Sequence, residues 1–99
     1  MVAVAGSEET TLFGVFPNPA RSYVNIELSS TSVSSTSQTV TIEVSDVMGR
    51  VFINRPAVLQ PGQSVYRLDQ LDWLAAGSYF ITVRRDGVVL GTEQIVIEE

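Results

Sequence analysis

The stretch at 12–28, LFGVFPNPARSYVNIEL, constrains the fold more than any other part of the chain. It holds a short apolar run, then Pro17-Asn18-Pro19, then strict alternation of apolar and polar residues. Each proline lacks an N–H and restricts the residue before it, so neither a helix nor a paired central strand can run through this point. The chain must turn there. Beyond the turn, Val24, Ile26 and Leu28 fall on one face of a strand and Asn25 and Glu27 on the other, the period of a half-buried antiparallel strand.

Strand signals then recur at short intervals. The spacing predicts strands at 11–16, 23–28, 39–46, 50–54, 64–68, 78–85, 88–91 and 92–97; the last two read as one strand if Gly91 carries a bulge. Valine, isoleucine, threonine and tyrosine dominate them, which suits a pleated, half-buried surface. No segment sustains a helical period, and only 69–75 has room for a single turn. Seven or so antiparallel strands in 99 residues predict an all-β fold, an immunoglobulin-like antiparallel β-sandwich. Asp86-Gly87 reads as a two-residue hairpin turn with positive φ at both positions, and Met48-Gly49 as a similar turn. The polar stretch at 29–38, SSTSVSSTSQ, reads as a long hairpin loop.

A chain of this length makes one domain and buries about two-thirds of its unfolded surface. Residues 1–10 read as a flexible linker or artificial leader, and 11–99 as the sandwich. MVAVAG lacks the basic region and apolar length of a signal peptide, and nothing approaches the ~20 apolar residues of a membrane helix, so no membrane insertion is expected. Six arginines, no lysine and eleven acidic residues give a net charge of −5. That balance provides no phosphate-neutralising stripe and argues against nucleic acid as a partner.

Chemistry-bearing residues are few. With no histidine and no cysteine there is no catalytic triad, thiol nucleophile or usual zinc site, and the chain does not read as an enzyme. Glu27, Glu43, Asp69 and Asp72 could supply paired carboxylates, but the expectation for them is simple solvation. The aspartates at strand ends, Asp46, Asp69, Asp72 and Asp86, lack a D-x-D-x-D loop and are expected to cap their own turns rather than bind calcium; no cofactor is expected. Trp73, Tyr23, Tyr66 and Tyr79 raise the alternative of a non-catalytic carbohydrate-binding or structural module of a secreted glycosidase. Against it, Tyr79 reads as a core ring whose hydroxyl bonds to backbone, and Trp73 as a plug at one end of the sandwich.

Four segments occur in a fixed order: Phe16-Pro17-Asn18-Pro19-Ala20; a D-x-x-G-R turn at Asp46, Gly49 and Arg50; an L-x-x-G-x-Y strand start at Leu74, Gly77 and Tyr79; and a final apolar strand with Ile95, Val96 and Ile97. In this the chain resembles the C-terminal sorting domains of the Bacteroidetes type IX secretion system, the Por secretion tail family, over roughly 12–97. The resemblance implies a β-sandwich that acts as a sorting signal. Such a domain takes an N-terminal passenger from the periplasm through the outer-membrane translocon, meets shuttle and sortase components, and leaves the cargo on the cell surface or released. It also implies that the quoted residues carry recognition, that a longer protein precedes the domain, and that Met1 is an artificial start. Glu98-Glu99 departs from the family, which carries a short basic tail there.

The final strand has one further property. Ile95 and Ile97 alternate with Val96, so both faces are apolar. Either the sandwich covers both, or one edge is kept for pairing with a partner strand.

Overall fold

A computed structural model describes residues 10–30, 38–60 and 65–99. All but the last residue of the linker expected over 1–10, most of the predicted polar loop and the predicted strand start at Ser64 lie outside the described residues. Among the described residues there are seven strands: β1 (Thr10–Phe16), β2 (Val24–Ser30), β3 (Gln38–Asp46), β4 (Val51–Leu59), β5 (Val65–Leu68), β6 (Gly77–Arg85) and β7 (Val88–Ile97). They form two antiparallel sheets, ordered β1-β2-β5 and β4-β3-β6-β7. The result is the expected β-sandwich, with the immunoglobulin-like strand order in which the fourth strand joins strands three, six and seven.

Alternation builds the core. Val24, Ile26 and Leu28 of β2 are buried as their spacing requires, and face Val40, Ile42 and Val44 of β3, Ile81 and Val83 of β6, and Ile95 and Ile97 of β7. Each fully buried side chain of this size contributes roughly 1.5–3 kcal/mol. The hairpin between β6 and β7 turns at Asp86 and Gly87, whose φ values of 54° and 81° match the turn expected from the sequence.

Three differences from the expected strands have local causes. β4 runs to Leu59 instead of ending at Asn54, straight through Pro56, because a proline is tolerated on the outer strand of a sheet. The segments 88–91 and 92–97 are one strand, and its extra residue is Leu90 rather than Gly91, since Val83 pairs with Gly91 and Arg84 with Val89. The turn after β3 is also of another kind. Gly49 has φ 88°, as expected, but Val47 and Met48 lack positive φ, so this is an ordinary turn followed by a left-handed glycine.

Candidate functional site

The segment after β1 does not simply turn. With cis bonds at Phe16-Pro17 and Asn18-Pro19, it crosses from the smaller sheet to the open side of β7. There the Asn18 side chain takes the place of a strand. Its Oδ1 accepts the Val96 N–H at 3.0 Å, and its Nδ2 donates to the Gln94 carbonyl at 3.1 Å. Ala20 continues the pairing: its N–H donates to the Val96 carbonyl and its carbonyl accepts the Glu98 N–H, both at 2.8 Å, in a parallel bridge opposite Ile97. Ala20 is buried, while Phe16, Pro17, Asn18 and Pro19 are exposed. The outward backbone groups of β7 from Gln94 to Glu98 are therefore satisfied by 18–20. Neither reading of the last strand holds as expected: Ile95 and Ile97 are buried but Val96 is 40% exposed, so the sandwich does not cover both faces, and this part of the edge is paired from within the chain rather than left open for a partner.

The other motifs join the same band. Register places Asp46 opposite Tyr79, Tyr79 opposite Ile95, and Gly77 opposite Ile97, so residues from β3, β6, β7 and the crossing segment lie side by side. The Asp46 carboxylate organises its own turn: Oδ1 accepts the Met48 and Arg50 N–H groups at 2.9 Å, and Oδ2 the Arg50 Nε at 2.8 Å. Desolvation acts to raise the Asp46 pKa, but these hydrogen bonds and the Arg50 charge outweigh it and hold the carboxyl below its ordinary value. Asp46 thus caps a turn, as expected of an aspartate in that place. Glu43 is held by Arg84 at 2.7 Å, and Asp69 by Arg67 at 2.6 Å.

Leu74 and Tyr79 secure the segment before β6. Leu71 and Leu74 are buried, joined by a turn in which the Leu74 N–H donates to the Leu71 carbonyl, while the Leu71 N–H reaches back to Ser22. Tyr79 is 5% exposed and its hydroxyl donates to the Ala75 carbonyl at 2.6 Å, the backbone-bonded core ring expected from the sequence. A shallow hollow beside the crossing segment is floored by Leu74 and Ile97 and rimmed by Arg21, Asp72 and Glu98.

Trp73 corrects the sequence reading. It lies against Phe52, ring centroids 6.3 Å apart, but is 58% exposed and so does not plug the sandwich. Phe52 was not singled out by the sequence. It is the extra residue of β4, since Val44 pairs with Ile53 and Ser45 with Val51, and it packs edge-on against Tyr79 at 5.7 Å with the Arg50 guanidinium 5.9 Å from its ring centre. A bulge leaves no signature in residue type here, and alternation alone would assign Phe52 to the outer face. Of the rings named for sugar stacking, Tyr79 is buried and Arg67 covers the Tyr23 ring at 3.9 Å, while Trp73 is exposed.

A family model for a secretion system C-terminal sorting domain matches residues 14–98. No curated protein matches the chain.

Proposed function

Given that this chain belongs to the family of type IX secretion C-terminal sorting domains, we propose that residues 11–99 carry an N-terminal passenger across the outer membrane for attachment to the cell surface or release. Membership makes the domain a sorting signal that works with the type IX machinery on the way to the surface or the medium. The finer steps are the proposal. The domain passes through the periplasm, and it is read by the translocon, the shuttle and the sortase.

Recognition is assigned to Phe16, Pro17, Asn18, Pro19, Ala20, Asp46, Gly49, Arg50, Leu74, Gly77, Tyr79, Ile95, Val96 and Ile97. One observation carries the assignment: segments as far apart in sequence as Asn18 and Val96 are hydrogen-bonded to each other, and Asp46, Tyr79 and Ile95 continue the same band across three strands. Several of these residues, such as Tyr79 and Ile97, are buried and act by holding the band in shape; Asn18, Pro19 and Arg50 are exposed and available to a partner.

The test is a periplasm-targeted reporter fused to 11–99, fractionated from type IX-competent cells and from cells without the translocon. The proposal expects surface or medium localisation only in the competent cells. A reporter that stays periplasmic in both overturns it.

A further inference from the structure

The four-stranded sheet has a second edge, β4, with which no described strand pairs on its outer side. Nine residues of extended backbone, with Val51, Phe52 and Val58 exposed, form a template onto which another strand can add. The geometry of that template is self-complementary. Pro56 faces Thr41 in the register with β3; having no N–H, it suits only the pair type that exchanges no hydrogen bonds, so its vacant N–H position turns outward. By the same alternation Asn54 and Val58 direct their N–H and C=O groups outward. If two copies lie antiparallel about a two-fold axis at position 56, Asn54 of each meets Val58 of the other, an isologous contact. The outward residues Asn54, Pro56 and Val58 are all uncharged, so the net charge of −5 is not focused on this line.

Two residues spoil the match. Pro56 sits at the centre, where both copies lose a donor. Arg55 lies on the core side of the strand between the buried Ile53 and Ala57, yet is only half-buried and makes no ion pair with any described residue. An inward-pointing charge on an outer strand is costly to enclose when a further strand extends the sheet. We infer that the β4 edge is a suppressed self-association surface, complementary to β4 of a second copy of this chain, and that Pro56 and Arg55 keep the domain from pairing through it.

The experiment compares the full chain with Pro56→Thr and with Pro56→Thr/Arg55→Thr by sedimentation equilibrium and amide hydrogen exchange. The wild type is expected to sediment as a monomer, and the double variant to double its weight-average mass with rising concentration. Slowed exchange at Asn54, position 56 and Val58 should accompany the change. Adding Val58→Lys to the double variant should restore the monomer. The inference is overturned if the folded double variant stays monomeric with fast exchange at these amides, if its dimer persists with Val58→Lys, or if the wild type already pairs through β4. Should the double variant fail to fold, Pro56→Thr alone decides by the same readings.

Discussion

On the β7 edge, a side chain 76 to 78 positions away supplies an acceptor and a donor to the backbone, and Ala20 adds two more bonds. On the β4 edge no described strand supplies any, and protection rests on Pro56 and Arg55, which deny a partner rather than provide one. The residues singled out by the sequence resemblance cluster on the first edge and the strands beside it, and none lies on β4 itself. An edge stitched by the chain's own N-terminal segment couples that segment to the last strand. A merely guarded edge couples nothing, and any proline or inward charge serves.

The strongest way to break the comparison is to remove 94–99. Two buried side chains, Ile95 and Ile97, lose their place at roughly 1.5–3 kcal/mol each, so about 3–6 kcal/mol should be lost in urea denaturation, with export abolished. That is a large share of what a domain of this size has. Val96, being partly exposed, adds little. Replacing only Glu98 and Glu99 by Gln should leave the melting temperature almost unchanged, since the Glu98–Arg21 pair is long, at 3.6 Å, and solvated.

Asn18→Ala turns the stitched edge into a bare one. Two exposed hydrogen bonds disappear, and a loss of about 1–2 kcal/mol is expected in denaturant midpoints. Gly87→Val sharpens the contrast from outside both edges. A Cβ built there meets nothing within 4 Å beyond its chain neighbours, so the expected cost of about 1 kcal/mol or more comes chiefly from φ, and export should persist wherever the variant folds. No loss of stability in Gly87→Val would contradict the turn.

A smaller effect is one of pH. The Asp46 carboxyl titrates below the ~3.9 of an unfolded chain. Its contribution is therefore complete above that value and lost as pH falls through the depressed folded value. Asp46→Asn should flatten the acid limb of stability between about pH 4 and lower pH. An unchanged acid limb would show that the turn's hydrogen bonds do not discriminate the charged form.

Much of this was legible because it is local. Alternation at Val24, Ile26 and Leu28, the Asp86-Gly87 turn and the Tyr79 hydroxyl follow from near neighbours. Sequence alone ends this strand at Asn54, because a proline normally ends a strand, and only the outermost place of β4 in its sheet permits Pro56. Its place between Leu71 and Leu74 predicts a plug for Trp73, but the turn joining those two buries them and leaves the ring between them outside. The FPNPA segment could be located but not placed. Its bonds to Gln94, Val96 and Glu98 depend on a crossing between sheets that residue periodicity does not encode.

The two edges can be read side by side in one hydrogen-exchange experiment on the intact domain, with and without Asn18→Ala. The account predicts slow exchange at Val96 and Glu98 in the wild type, fast exchange at Asn54 and Val58, and a selective loss of protection at Val96 in the variant. If Val96 exchanges as fast as Val58 in the wild type, or stays protected in Asn18→Ala, the stitched edge does not exist in solution.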